Sequence, residues 1–241
     1  MTCEIISSSG RDGNAVLLSG NILFDCGVPW RKLKSCARQI RFLFLTHVHG
    51  DHFNIQTIQR LWKMNPRVRF VCSCNVLPDL VSRAHVPLDR IILIRPEDGE
   101  KTFQEWESGV SITARSFHLL HDVPNVGWLV TVSGGSEPGS ALYATDTHHV
   151  PISAPGLDLY MVEANYTQED MDRRIAEKAE AGVFSYEGRV IQSHMSLETA
   201  MQWLGENADP YQSKIVFLHG HVEKTVECPE ESEGACDPCT P

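Results

Sequence analysis

The run His47-Val48-His49-Gly50-Asp51-His52 constrains this chain more than any other segment. Four ligand-type side chains fall within six residues, directly after Arg41-Phe42-Leu43-Phe44-Leu45-Thr46, which reads as a buried strand. A tight turn after a strand aims alternate side chains at one point. His47 and His49 can then share one cation, while Asp51 and His52 point toward a second. Gly50 lets the backbone bend between the two pairs. Imidazole and carboxylate donors suit Zn²⁺, and also Mn²⁺ or Fe. A loop of surface histidines without metal is the bland alternative, and so dense a pattern makes it the poorer one.

The surrounding pattern is α/β, with more strands than helices. Ala15-Val16-Leu17-Leu18, the turn Ser19-Gly20-Asn21 and Ile22-Leu23-Phe24-Asp25 form a predicted hairpin. Further strands are expected at Val68-Arg69-Phe70-Val71-Cys72, Ile91-Ile92-Leu93-Ile94, Val110-Ser111-Ile112-Thr113-Ala114 and Trp128-Leu129-Val130-Thr131-Val132. Ala141-Leu142-Tyr143-Ala144 leads to Asp146, Leu159-Tyr160-Met161-Val162 to Glu163, and Lys214-Ile215-Val216-Phe217-Leu218 to His219. Helical spacing covers about 54–64, 168–180 and 197–204, with a short helix between the strands at 68–72 and 91–94. No internal repeat or linker divides the chain. One domain over 1–224 is expected, followed by a mobile Glu/Pro/Cys-rich tail over 225–241.

Composition narrows the class further. The N-terminal residues lack the basic-then-apolar order of a secretory signal, and no apolar run reaches membrane-spanning length. The expectation is a cytoplasmic protein with no membrane contact, whose eight cysteines are reduced. A net charge of −10 argues against tight, non-specific binding to long nucleic acids, although divalent metals would add positive charge within a cleft. Lys34, Arg38 and Arg41, like Arg60, Lys63 and Arg67, fall at helical spacing. A solvated helix face is the expected role, and a phosphate-tracking stripe the alternative. Cys236 and Cys239, with Cys228, supply only three of the four ligands a structural zinc needs. Cys72 and Cys74 are expected to be buried thiols, and Trp62, Trp106, Trp128 and Trp203 to pack in the core.

The segment Thr46 to His52 resembles the signature of the metallo-β-lactamase superfamily, and the later ligand-type residues follow that family's order. His121-Asp122-Val123-Pro124-Asn125-Val126-Gly127 resembles its third-histidine segment. Ala144-Thr145-Asp146-Thr147 resembles its bridging-Asp turn, and Phe217-Leu218-His219 its last histidine. The resemblance implies an αββα sandwich, with two mixed sheets flanked by helices. It implies two divalent metals, zinc or alternatively manganese. His47, His49 and His121 would hold one, Asp51, His52 and His219 the other, and Asp146 would bridge. His118 competes with His121 and is expected in the core or behind the ligands. His221 competes with His219. His148 and His149 are expected as partly exposed loop residues.

Two further segments resemble the tRNase Z-like and YycJ/WalJ-like phosphodiesterase branches: Val162-Glu163-Ala164-Asn165-Tyr166, and Ser193-His194-Met195-Ser196 at a helix start capped by Ser196. Ser7-Ser8-Ser9-Gly10 through Gly13-Asn14-Ala15 resembles the YycJ-like opening. In such enzymes the Glu orients the His, which approaches the substrate phosphate or leaving oxygen. Glu163 and His194 are therefore catalytic candidates beside Asp51 and Asp146. The intervals His121–Asp146 and Glu163–His194 leave no room for the long arm with which many tRNase Z enzymes grip tRNA. The implied activity is a phosphodiesterase using a metal-bridging hydroxide on a nucleic acid or a cyclic nucleotide, nuclease-like in class. Hydrolysis of a thioester, lactone or β-lactam is the alternative. Relatives of this kind often pair into dimers, so the resemblance allows a homodimer, although no residue in the sequence specifies one.

Overall fold

A computed structural model describes residues 1–105, 109–185 and 187–220, and the backbone of Thr225–Val226. The first sheet has six strands in the order β1-β2-β3-β4-β5-β6. These are β1 (Cys3–Ser9), β2 (Gly13–Leu18), β3 (Ile22–Phe24), β4 (Phe42–Phe44), β5 (Arg69–Cys72) and β6 (Ile91–Leu93). β1 to β3 run antiparallel, and β3 to β6 are parallel. The expected hairpin is β2–β3, turned by Ser19 and Gly20 at positive φ.

The second sheet has seven strands in the order β13-β12-β11-β10-β9-β8-β7. They are β7 (Lys101–Gln104), β8 (Ser111–Leu119), β9 (Asn125–Ser133), β10 (Gly139–Ala144), β11 (Leu159–Glu163), β12 (Lys214–Leu218) and β13 (Thr225–Val226). β10, β11 and β12 are parallel and the rest antiparallel. Both sheets are therefore mixed.

Side-chain alternation explains the four layers. Along a strand, odd and even residues face opposite sides. Val16 and Leu18 of β2, Ile22 and Phe24 of β3, and Phe42 and Phe44 of β4 meet Trp128, Tyr143 and Met161 between the sheets. Ala15, Leu17, Leu23 and Leu43 face the other way, onto α1 (Trp30–Leu33), α2 (Ile55–Met64) and α3 (Leu77–Ser82). On the far side Leu142, Tyr160, Val162 and Phe217 pack with Ala200 and Leu204 of α6 (Leu197–Asn207). Both faces of the central strands are buried, so those strands read as unbroken apolar runs. α4 (Gln168–Glu180) and α5 (Glu187–Ser193) precede α6. Buried Glu187 ties α5 to α4 through Lys178 Nζ at 2.6 Å.

Several expectations need correcting. Lys34, Arg38 and Arg41 do not share a helix face, because α1 ends at Leu33 and Arg41 leads into β4, where its Nε pairs with Glu105 at 2.7 Å. Cys72 is buried but Cys74 is exposed. His118 is exposed on β8 rather than in the core, since the β8–β9 ladder carries the strand as far as the pair Leu119–Asn125. The expected tail begins with two residues paired to Ile215 and Val216. Trp128 is fully buried, while Trp62 and Trp203 are half-buried. Trp106, His221, Cys228, Cys236 and Cys239 lie outside the described residues. Among the described residues, no helix is long and apolar enough to cross a membrane.

Candidate metal centre

The strand ends converge on one edge of the sandwich. β3 ends at Phe24 and delivers Asp25; β4 ends at Phe44 and delivers Thr46 and His47. The parallel strands β10, β11 and β12 deliver Asp146, Glu163 and His219 at their carboxyl ends. Asp25, Asp146 and His219 all adopt positive φ, at 57°, 53° and 59°. Non-glycine residues seldom take this conformation, and it is often kept at functional sites.

The candidate ligand atoms fall into overlapping groups whose members lie within 4.8 Å of one another. One group is His47, His49 and His121, and another is Asp51, His52 and His219. Asp146 joins His47 and His52 in a third, and joins Glu163, His194 and His219 in a fourth. The residues singled out in the sequence thus come together at one place. His47, His52, Asp146 and Glu163 are buried, whereas His49, Asp51, His121, His194 and His219 are half-buried. His148 and His149 contact each other at 2.9 Å in the following loop and join none of these groups.

The outer contacts fix which imidazole nitrogen faces inward. His52 Nδ1 lies 2.7 Å from Asp25 Oδ2, leaving Nε2 facing Asp146 Oδ2 at 2.7 Å. His47 Nδ1 lies 3.0 Å from Thr46 Oγ1, leaving Nε2 free. Carboxylate and hydroxyl partners of this kind set the tautomer and orientation of a metal-binding histidine. Asp25 also accepts from the Thr46 amide at 3.0 Å and from the Tyr143 hydroxyl at 3.0 Å. The first-sheet ligand loop is thereby pinned to a core tyrosine of the second sheet. Glu163 Oε1 lies 2.6 Å from His194 Nδ1, and its Oε2 accepts from the Thr147 amide at 2.9 Å. Ser196 caps α6 by accepting from the Thr199 amide, placing His194 just ahead of that cap.

The electrostatics favour bound cations. Burial alone would raise the Asp146 carboxyl pKa, but the His52 and His219 imidazoles outweigh it and hold the carboxyl well below the usual range. Burial opposes charge on His52, yet Asp146 and Asp25 lift its pKa well above the ordinary imidazole value. Burial and the neighbouring His52 instead push His47 well down. The carboxylates draw protons onto nearby imidazoles, and a divalent cation bound among them would displace those protons. Three nitrogens, His47 Nε2, His121 Nδ1 and His219 Nε2, are buried without a hydrogen-bond partner. Buried polar atoms are ordinarily paired, so these residues fit a metal. A cavity of about 540 Å³ opens over His49, Asp51, His121, Asp146 and His219, lined also by Arg11, Asn165 and Ser193.

Asp25 had no assigned role in the sequence reading. Its signal was present, because Ile22-Leu23-Phe24-Asp25 is one of several strands ending in an acid or histidine. Gly27 was missed as well, and nothing in its local sequence marks it. A Cβ there would sit 1.7 Å from the Asp51 carbonyl oxygen and 2.6 Å from the His52 nitrogen. Backbone cannot yield without moving the ligand loop. Gly27→Ala is expected to destabilise the fold by about 3 kcal/mol, the upper part of the over-packing range. Chemical denaturation measures this as a fall in midpoint. Gly10→Ala is the control: its Cβ meets only the Asp51 Oδ2 side-chain atom at 3.7 Å, so the midpoint should hold.

A model of the beta-lactamase superfamily domain matches residues 20–219. Two solved structures illustrate the likeness. The metallo-beta-lactamase fold protein YhfI from Bacillus subtilis is 17% identical with a TM-score of 0.58, over 92% of this chain and 87% of that one. A long form RNase Z from yeast is 13% identical with a TM-score of 0.58, over 96% of this chain but only 39% of the yeast chain. No match was found among curated proteins.

Proposed function

The chain belongs to the beta-lactamase superfamily, matched over residues 20–219, and within that family of metal-dependent hydrolases we propose that it is a phosphodiesterase with two divalent metals, zinc or manganese. His47, His49 and His121 would hold one metal, and Asp51, His52 and His219 the other, with Asp146 between them. When bound, the metals supply Lewis-acid polarisation of the phosphoryl group and a more acidic water.

The observation that carries the phosphodiester reading is the Glu163–His194 pair at 2.6 Å, in which buried Glu163 backs His194 and His194 lines the cavity with Asp146. Glu163 is fully buried and fixes Nδ1, so Nε2 is the nitrogen left to face a substrate. Burial works against the His194 cation, but Glu163 outweighs it and raises the imidazole pKa. A cationic His194 can bind a phosphoryl oxygen or donate its Nε2 proton to the departing alkoxide. A thiolate departs without a proton donor, so the pair argues against a thioester, and lactone and β-lactam hydrolases share the metal motif without generally needing such a pair. Arg11 adds a cation to the cavity lining, at the turn between β1 and β2. The likeness to RNase Z supports the same reading. A nucleic-acid end and a cyclic nucleotide both fit this chemistry.

The proton-donor role is tested with phosphodiesters of graded leaving groups. His194→Ala should cost about 10²–10⁴-fold in kcat with a poor alkoxide leaving group, and much less with p-nitrophenolate, which needs no proton. An equal loss across the series would leave His194 without that role.

A further inference from the structure

We infer that Asn14, which belongs to none of the candidate ligand groups, is a positioning residue for the second metal, acting through Asp51. The inference rests on reading Asp51 and His52 as ligands of that metal.

Asn14 sits at the start of β2 and is 2% exposed. Its main chain is locked to the ligand loop and to the segment beneath. The Asn14 amide donates to the Asp51 carbonyl at 2.7 Å, and the Gly27 amide donates to the Asn14 carbonyl at 2.9 Å. Two glycines permit this stacking. Gly13, at φ 83°, has no room for a Cβ against the Gly27 carbonyl, 2.4 Å away, just as Gly27 has none against Asp51. The β1–β2 turn, the strand β3 exit and the metal loop are therefore three backbones in direct contact.

The side chain then reaches the ligands. Asn14 Nδ2 lies 3.1 Å from the Asp51 carbonyl oxygen, 3.3 Å from Asp51 Oδ2 and 2.8 Å from His52 Nε2. A backbone carbonyl only accepts, so the nitrogen, not the oxygen, must face Asp51. The two N–H groups match the two Asp51 acceptors. Donation to Oδ2, the oxygen 3.6 Å from His52 Nε2, holds the carboxylate in one rotamer beside that ligand. Asn14 Oδ1, meanwhile, is buried without a partner, which costs stability. Packing alone does not account for an amide kept at such a cost, whereas its donors do.

Outer partners of metal ligands typically affect affinity by about 10–100-fold. The experiment is a calorimetric titration of metal-free protein with Zn²⁺, and separately with Mn²⁺, comparing wild type with Asn14→Ala. The expected result is two metals bound per chain in wild type, with one of the two affinities weakened about 10–100-fold in the variant and the other unchanged. A second measurement needs no variant: the side-chain amide resonances of ¹⁵N-asparagine-labelled wild type. The Asn14 pair should shift with one of the two metal equivalents and not with the other. Two metals bound in wild type with both affinities unaltered in Asn14→Ala would overturn the inference while leaving the metal assignment intact. Only one metal bound per chain in wild type would overturn both.

Discussion

Asp25→Ala is expected to destabilise the metal-free protein by about 3–5 kcal/mol, the cost of removing one partner from a buried ion pair. Asp25 has no exposed surface. Its carboxylate accepts from the Thr46 amide and hydroxyl, faces His52 Nδ1 at 2.7 Å, and accepts from the Tyr143 hydroxyl. Truncation strands all of these donors in a dry interior, and an unpaired buried donor costs roughly 1–3 kcal/mol. For a chain of this size each kcal/mol moves the melting temperature by about 2–4 °C, so thermal unfolding should show a fall of roughly 6–20 °C. Asp25→Asn separates packing from charge. It keeps the shape but offers His52 a weaker, neutral partner. Metal affinity should fall about 10–100-fold, with a smaller loss of stability than in Asp25→Ala. A melting temperature within two degrees or so of wild type in Asp25→Ala would show that the carboxylate does not hold the loop.

Asp146→Ala should abolish turnover, with a loss of at least about 10³-fold. This corresponds to the several kcal/mol that a divalent metal contributes to charge stabilisation in a transition state. Among the described residues, Asp146 is the one that shares candidate ligand groups with His47 and His52 on one side and with His194 and His219 on the other. Its loss removes the carboxylate that, among the described residues, shares groups with all four of these histidines. Metal content measured on the purified variant should fall below that of wild type. Asp146 is held ionised against buried His52 at 2.7 Å, so its loss should also lower stability, as removal of one partner of a buried pair does, and a thermal melt of the variant separates that loss from the loss of turnover. Full metal content with full activity would contradict the bridging role.

Much of this was legible in the sequence because ligand-type residues follow strand ends. Asp146, Glu163 and His219 each stand at or just beyond an apolar strand, and parallel strands bring those ends to one edge. The central strands were equally plain, being apolar on both faces. β1 was less so: Cys3–Ser9 mixes buried and half-exposed positions and carries an irregularity between Ile5 and Ser7. β8 was read too short because Arg115 and His118 interrupt its apolar pattern while the ladder to β9 continues. α5 holds Gly188 and the β-branched pair Val190-Ile191, poor helix formers, and is anchored by Lys178 rather than by periodicity. Asp25 carried the strand-end signal but its partners could not be read, and the roles of Asn14 and Gly27 left no mark in the sequence. They arise from backbones and side chains that meet only in three dimensions, between segments distant in the chain.

Hydrolysis of bis(p-nitrophenyl) phosphate by the Zn²⁺- or Mn²⁺-loaded protein tests the central claim most directly, beside a thioester and a lactone at equal concentration. The expected result is metal-dependent release of p-nitrophenolate that disappears in Asp146→Ala, with slow or no turnover of the two carbonyl substrates. Absence of phosphodiester cleavage with either metal, together with rapid thioester or lactone hydrolysis that survives His194→Ala, would contradict it.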